Sequence, residues 1–203
     1  MPDKYGAGQD PYTYAGSATL VNILGITDEE VLDQAEQEFS DLAAEGIGLC
    51  TSPYDLAYLQ SLHQQLFGDV YEWAGELRSI DISKESTRFC NAGRIAPEGR
   101  KLFKKLQDEN WLEGLSDENF INRLAEYYVE INMLHPFREG NGRAQRLLFE
   151  HIAANTGRNL MLVDISRADW IDANKAGALH CNYGPMEAIF KRCISDLELD
   201  DSE

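Results

Sequence analysis

The stretch HPFREGNGRAQR, residues 135–146, decides the fold because two helical patterns meet at it. Apolar residues recur at helical spacing before it and again after it, so it predicts a joint between two helices. Pro136 disfavours helical backbone at the residue before it, which places the break at His135. Phe137 is the only large apolar residue in the loop, and we expect it to anchor the loop to the core.

The second half of the stretch predicts an anion-binding site. Gly140 and Gly142 permit positive φ and close approach of the backbone, and they lie where the second helix begins. The free N–H groups at that point coincide with the positive end of the helix dipole. Arg143 and Arg146 project from one face of the first turns of that helix, and their planar guanidinium groups suit phosphate oxygens.

An acid and a histidine in the same loop add chemistry to the anion site. Glu139 would repel a bound anion unless a cation lay between them, which predicts Mg²⁺ held by one carboxylate and the phosphates of a ligand. A histidine side chain suits a general base at neutral pH, and His135 lies in this loop. Each feature alone is common in proteins that do not use it this way. Together they indicate transfer of a phosphate-containing group from a nucleotide to a hydroxyl.

The composition argues against several classes of partner and site. The chain has 35 acidic and 18 basic residues, and its net charge of −17 repels phosphate backbones. We therefore expect no direct binding to nucleic acid or to an anionic membrane. The four cysteines form no CxxC pair and no HExxH is present, which argues against zinc and fits a reducing compartment. The N-terminus carries no apolar leader, so we expect a cytoplasmic protein, although leaderless secretion would leave no trace.

The chain as a whole predicts a single mainly α-helical domain over residues 1–203. An N-terminal arm (residues 1–17) and a helix make up residues 1–48, and a core follows over 49–195. Residues 196–203 form an acidic tail. Within the core, short β-like stretches at about 77–82 and 87–90 flank a polar turn and predict one β-hairpin.

Helices are predicted on both sides of this hairpin. The first opens at a capping-box pattern at 27–30 and ends at Gly46, and the second opens at Ser52-Pro53. The first carries its apolar residues on one side: Leu32, Ala35, Phe39 and Leu42. The remaining helices are expected at about 97–108, 117–134, 141–155, 167–176 and 184–197.

The loop stretch also carries a family resemblance. HPFREGNGR, followed by Arg146, resembles the signature of Fic-domain adenylyltransferases. The segments YEWAGELR (71–78) and TRF (87–89) resemble that family's segments before and within its target-docking hairpin, the flap, here residues 77–95. The resemblance covers roughly residues 50–195, and the short chain is similar to stand-alone bacterial Fic toxins. It implies a helical bundle with the flap over the active site, and transfer of AMP from ATP to a Tyr, Ser or Thr hydroxyl of a target protein with release of pyrophosphate.

The resemblance implies a role for each residue of the stretch. His135 is the general base, Glu139 binds Mg²⁺ with the nucleotide, and Phe137 anchors the loop. An extended segment of the target protein pairs with the flap by β-augmentation. The anion hole comes from the backbone of Gly140, Asn141 and Gly142 with the Asn141 side chain, the β- and γ-phosphates are held by Arg143 and Arg146, and the flap contributes Leu77, Ile80, Ile82, Thr87 and Phe89.

Alternatives remain open at this point. The related Doc branch transfers the γ-phosphate and carries Lys at the position of Gly142, so glycine there favours AMP transfer over phosphorylation. A Doc-like kinase, another transferase of phosphate-containing groups, and a non-catalytic nucleotide-binding module are the alternatives. His135 and Glu139 argue against the last, because a module that only binds needs neither a base nor a metal ligand.

Residues outside the stretch receive weaker predictions. Asn174 and Tyr183 are candidates for packing against the adenine. Arg138 occupies a variable position of the motif and has no predicted role. The remaining histidines have no partner pattern and are expected to be structural or exposed: His63, His151 and His180.

The family's internal brake is missing from the sequence. That brake is a helix bearing [ST]xxxE[GN], whose Glu pairs with the second phosphate-binding arginine of the motif, here Arg146. Residues 40–46, SDLAAEG, come closest, but the extra residue turns Glu45 about 100° away from the required face. We therefore expect a separate small antitoxin to supply the Glu near Arg146. For a toxin of this kind the resemblance makes DNA gyrase and topoisomerase IV plausible targets.

Overall fold

The computed structural model describes residues 10–84 and 87–197. The mainly α-helical prediction is confirmed, since these residues form seven α-helices and four short strands. The first nine residues, two predicted turn residues (85 and 86) and most of the predicted acidic tail lie outside this range. The helices are α1 (Glu29–Glu45), α2 (Leu56–Phe67), α3 (Ile95–Asp108), α4 (Asp117–Leu134), α5 (Asn141–Asn155), α6 (Arg167–His180) and α7 (Gly184–Cys193).

The chain divides into two compact units. The first comprises the described residues up to Gly48 with Leu56–Gly99 and Leu134–Ala144, and the second comprises Leu49–Asp55, Arg100–Met133 and the residues from Gln145 onward. The prediction of one domain with boundaries at 48 and 195 stays a prediction. None of the described helices has the length and apolar character needed to cross a membrane.

In the first unit, α1 packs against α2 with a face that the sequence did not predict. Asp28 is the N-cap and accepts a hydrogen bond from the amide of Val31. The buried residues of α1 are Leu32, Glu36 and Ser40. Phe39 and Leu42 are 39% and 69% exposed, so the predicted apolar face is wrong at these two positions. A polar network with Arg143 in the first turn of α5, described below, accounts for this orientation.

The second helix begins later than predicted. The Ser52–Pro53 peptide is cis and α2 starts at Leu56, so these two residues are not an N-cap and first turn. Tyr54 explains the difference, because its hydroxyl donates to the carbonyls of Cys50 (2.7 Å) and His151 (3.1 Å) in the second unit. These contacts hold residues 49–55 outside a helix.

The predicted hairpin is present but shorter. Its strands are β1 (Ser83–Lys84) and β2 (Thr87–Arg88), which pair antiparallel. One further backbone hydrogen bond runs from the amide of Phe89 to the carbonyl of Ile82 (3.3 Å). Residues 77–82 form no strand, because Arg78 takes part of this segment into other contacts described below.

The second unit has a core around α4 and a small sheet that the sequence analysis missed. Tyr128 of α4 is buried among the rings of Phe149, Trp170 and Phe190. Strand β3 (Arg158–Leu160) pairs antiparallel with β4 (Ile194–Asp196), so the predicted helix over 184–197 is wrong beyond Cys193. Ile194, Ser195 and Asp196 carry no period-2 pattern long enough to reveal a strand.

Candidate active site

The loop between α4 and α5, residues 135–140, is closed by its own asparagine. Helix α4 ends at Leu134, and His135 follows with φ of 43°. The Asn141 side chain accepts from the amide of Phe137 and donates to its carbonyl, both at 2.8 Å. Its amide group therefore closes the loop, and its role in the anion hole stays a prediction.

Phe137 anchors the loop on a histidine. It is fully buried, and its ring stacks on the His63 imidazole with centroids 3.8 Å apart. His63 Nδ1 accepts a hydrogen bond from the amide of Gly75 (2.9 Å). Nε2 must then carry the proton, and it donates to the carbonyl of Glu139 (2.9 Å). His63 is structural as predicted, but it acts on the backbone of the motif itself.

Burial fixes the protonation state of His63. The side chain is 0% exposed, and desolvation lowers the pKa of the imidazole to about 4. A proton on Nδ1 would also face the N–H of Gly75. The imidazole is therefore neutral at physiological pH and serves as a fixed spacer between Gly75 and Glu139.

The N-terminus of α5 has the form expected of an anion site. Gly142 is exposed, and a Cβ placed there would meet nothing within 4 Å. The first amides of a helix lack intrahelical acceptors, so they are available to a ligand in this open space. Gly140 is different: its φ is +75°, and a Cβ there would lie 2.4 Å from the Phe67 ring.

Glu139 is the acid beside this site. Its side chain accepts from the amide of Gly140 (3.2 Å), which brings the carboxylate to the beginning of α5. No group of three or more His, Cys, Asp or Glu side chains suited to a metal occurs in the described parts of the chain. A single carboxylate fits Mg²⁺, which usually binds through one or two carboxylates together with substrate phosphates and water.

Arg143 already has a carboxylate partner in the first unit. Its guanidinium forms an ion pair with Glu36, donates to the Ser40 hydroxyl (2.7 Å), and lies 4.7 Å from the Phe67 ring centroid. The Tyr71 hydroxyl donates to Glu36 as well (2.5 Å). Burial raises the pKa of Glu36, and Arg143 offsets part of that rise. Arg143 thus attaches α1 to the first turn of α5.

The sequence-based prediction considered Glu45 of α1 as a carboxylate for the motif and rejected it, but it did not consider Glu36 of the same helix. Glu45 is exposed, whereas Ser40 does contact Arg143. Glu36, four residues before Ser40 on the same face of α1, makes the ion pair. A search for the family's known pattern could not find Glu36. The available signal was its spacing of four residues from both Leu32 and Ser40, which places the three on one face of the helix.

Arg78 is a second residue whose role the sequence analysis missed. The side chain is buried, and its Nε donates to the carbonyl of His135 (2.8 Å). Its other nitrogens donate to the carbonyls of Ile80 and Cys90, at the two ends of the flap. Arg78 therefore ties the flap to the backbone of the histidine.

The flap residues predicted to dock a target fall into two groups. Phe89 is buried and stacks on the His135 ring, with centroids 3.7 Å apart and planes 11° apart. Ile82 is also buried, whereas Leu77, Ile80 and Thr87 are partly exposed. Phe89 and Ile82 therefore support the site from within, and the partly exposed residues remain available to a target.

Arg146 belongs to the second unit and is exposed. It lines a cavity of about 470 Å³, and no hydrogen bond or ion pair of its guanidinium is found within residues 10–84 and 87–197. Three apolar residues of the cavity lining are also exposed: Leu49 (64%), Met161 (54%) and Val163 (57%).

The adenine candidates also lie in the second unit. Asn174 is 9% exposed, and its amide nitrogen donates to the carbonyl of Trp170 (2.9 Å). Its side-chain oxygen is buried and accepts no hydrogen bond from the described residues. Tyr183 packs beside Gly177 of the same helix pair. An orphaned buried acceptor is the kind of group that an amino-bearing ligand would satisfy.

Comparison with known proteins assigns the family. The Fic/DOC family profile matches residues 53–153, which contain α2, the flap and the whole motif. A Salmonella typhimurium protein called "Probable protein adenylyltransferase Fic" is 43% identical over 97% of this chain and 98% of its own length. The chain belongs to the Fic/DOC family.

Other members of the Fic/DOC family agree in sequence and fold. An Escherichia coli protein of the same name is 40% identical over 97% of this chain and 98% of its own. The crystal structure of BepC from Bartonella tribocorum, with bound AMPPNP, superposes with a TM-score of 0.86 at 27% identity. It covers 92% of this chain and 97% of that chain, so the predicted Fic fold is confirmed.

The contact between Gly140 and Phe67 gives a test of the loop. We expect Gly140→Ala to lower the free energy of unfolding by about 2–5 kcal/mol, because a positive φ and an overpacked ring both carry a cost. Urea denaturation measures it. Gly142→Ala is the matched control and should unfold at the wild-type urea concentration or slightly above. Equal midpoints for Gly140→Ala and wild type would show that the loop does not pack on Phe67.

The neutral state of His63 predicts a pH dependence of stability. Between about pH 6.5 and 4 the unfolded chain takes up a proton that the folded imidazole refuses, so stability is full above this window and falls as the pH is lowered through it. For a pKa shift of this size, the free energy of unfolding falls by about 3 kcal/mol across the window. His63→Gln should be destabilised at pH 7.5, and the gap to wild type should shrink toward pH 4. Parallel curves for the two proteins would contradict a neutral buried His63.

Proposed function

We propose that this chain transfers AMP from ATP to a hydroxyl of a target protein and releases pyrophosphate. The chain is an enzyme, a protein adenylyltransferase of the Fic/DOC family. One observation carries the proposal: a histidine, an acid and the exposed N-terminus of α5 share one loop whose backbone is fixed by buried contacts. Relatives named for this activity, and a neighbour solved with bound AMPPNP, support it.

The reaction follows from the positions of these groups. His135 accepts the proton of the target hydroxyl, and the oxygen then attacks the α-phosphorus of ATP. The new P–O bond forms as the bond from the α-phosphorus to the bridging oxygen of the β-phosphate breaks, so pyrophosphate leaves. The backbone amides of Gly140, Asn141 and Gly142 stabilise negative charge on the phosphates through the transition state.

Two arginines and Mg²⁺ complete the nucleotide site in this proposal. Glu139 would hold the Mg²⁺, which would neutralise charge on the triphosphate. Arg143 forms three hydrogen bonds with Glu36 and Ser40, which leaves two of its five N–H donors for the β-phosphate. Arg146, which is exposed, supplies the second cation for the γ-phosphate. Asn174 and Tyr183 are proposed to pack against the adenine.

The open space at Gly142 supports AMP transfer over phosphorylation. A side chain there would stand in front of the helix N-terminus, where a phosphate can otherwise approach the amides. A lysine at this position would place a cation in that space and alter how the triphosphate lies. Glycine leaves the amides of α5 as the principal donors to the phosphates.

The flap is proposed to present the target hydroxyl to His135. Within the described residues, strands β1 and β2 form a two-stranded sheet, and an extended segment would add to an edge of it. Arg78 joins the flap to the His135 carbonyl, and this contact would fix the position of the docked segment relative to the base.

The cavity at Arg146 suggests how the enzyme is controlled. We propose that it is the toxin of a toxin–antitoxin pair in the cytoplasm, and that a small antitoxin inserts a helical Glu beside Arg146. Exposed Leu49, Met161 and Val163 around an exposed cation suit an amphipathic helix with one carboxylate. DNA gyrase and topoisomerase IV are candidate targets by family resemblance.

Labelled ATP tests the transfer reaction. Incubation with cell lysate and ATP labelled at the α-phosphate should label target proteins, whereas ATP labelled at the γ-phosphate should not. His135→Ala should reduce α-labelling by at least about 10²-fold because the hydroxyl loses its base. Label from the γ-phosphate alone would indicate a kinase, and tight ATP binding without label would indicate a binding module.

The antitoxin proposal predicts the behaviour of the isolated enzyme. The purified chain should label targets without an activator, and a small protein that co-purifies from its native cells should suppress labelling. Replacing the Glu of that protein by Gly should restore labelling, and Arg146→Ala should weaken ATP-dependent transfer even without it. Equal labelling with and without every co-purifying protein would contradict the proposal.

A further inference from the structure

A buried ion pair joins the N-terminal arm to the motif loop. Arg138 Nε and its terminal nitrogen lie 2.7 Å and 2.5 Å from the same carboxylate oxygen of Asp10, and both side chains are 3% exposed. Arg138 lies between His135 and Glu139 in the chain, so the pair holds the loop at its middle. The sequence analysis gave neither residue a role.

Asp10 is itself held in place by the arm. Its second carboxylate oxygen accepts from the amide of Tyr12 (2.9 Å), and its carbonyl accepts from the amide and the hydroxyl of Thr13. These contacts close a tight turn around the carboxylate. The turn presents both oxygens in fixed directions, so the arginine has a rigid partner.

The same turn also reaches the beginning of the flap. The Tyr12 hydroxyl accepts from the amide of Ser79 (3.0 Å), next to Arg78. The Tyr12 ring packs edge-on against Trp73. The arm therefore reaches the motif loop through the Asp10–Arg138 pair and the flap through the Tyr12–Ser79 hydrogen bond.

We propose that Asp10 is a positioning residue for AMP transfer, acting through Arg138. It lies outside residues 53–153, where the family profile matches, yet it fixes the loop that carries the proposed base and metal ligand. Both charges are buried, so removal of either one breaks the Asp10–Arg138 ion pair where charge is costly, and the loop would move to rehydrate the other group. Displacement of about 1 Å at a reacting group can cost about 10²-fold in rate. The inference rests on the proposed function.

The test separates positioning from stability. Asp10→Asn should lower kcat at saturating ATP by at least about tenfold per molecule that binds AMPPNP, while the KM for ATP changes less than about threefold, because the amides of α5 still bind the phosphates. Arg138→Gln should behave alike. The double variant pairs two neutral amides, removes the buried charge, and should recover at least about threefold over Asp10→Asn.

The control breaks a more exposed ion pair that lies away from the motif loop in sequence. Arg123 and Glu109 form a two-pronged pair in the second unit (2.7 Å and 2.6 Å), so Glu109→Gln should lower the melting temperature but leave kcat per AMPPNP-binding molecule unchanged. If the kcat of Asp10→Asn, normalised in this way, equals that of wild type, Asp10 has only a structural role and the inference is wrong. If Asp10→Asn does not fold, Asp10→Glu provides the same measurement. Absence of α-label in wild type would instead refute the proposed function.

Discussion

Buried backbone must be hydrogen-bonded, and this constraint shapes the loop that joins α4 to α5. The loop at residues 135–140 has few regular partners, because α4 has ended and α5 has not begun. Side chains supply the missing bonds: Asn141 pairs with Phe137, His63 donates to the Glu139 carbonyl, and Arg78 donates to the His135 carbonyl. The proposed base and the proposed metal ligand are therefore both held through their main chain.

The same site shows how an acidic protein manages a local excess of positive charge. Two arginines of the motif are neutralised from the N-terminal part of the chain, Arg138 by Asp10 and Arg143 by Glu36. Arg146 has no such partner among the described residues and is exposed. Arg138 and Arg143 thus attach neighbouring elements to the motif, and the exposed Arg146 is the one left for the proposed recognition of phosphate.

Sequence analysis predicted the elements that depend on local signals. Helices α4 and α5 have the predicted bounds because Pro136 and the glycines of the motif mark them clearly. The β3–β4 sheet was missed because its strands are three residues long and lie far apart in the chain. The face of α1 was misjudged because a polar network with Arg143 outweighed the apolar residues, and such long-range charge pairing leaves no periodic trace. The roles of Asp10, Glu36 and Arg78 were missed for the same reason, because each depends on a contact with a residue far away in the sequence.

The orientation of the nucleotide is the measurement that bears most directly on AMP transfer. A crystal structure of the chain with Mg²⁺ and AMPPNP would show which phosphate lies nearest His135. The account predicts the α-phosphate beside the His135 imidazole, the β-phosphate on the amides of residues 140–142, and Mg²⁺ on Glu139. A γ-phosphate beside His135, with the α-phosphate turned toward Arg146, would contradict it.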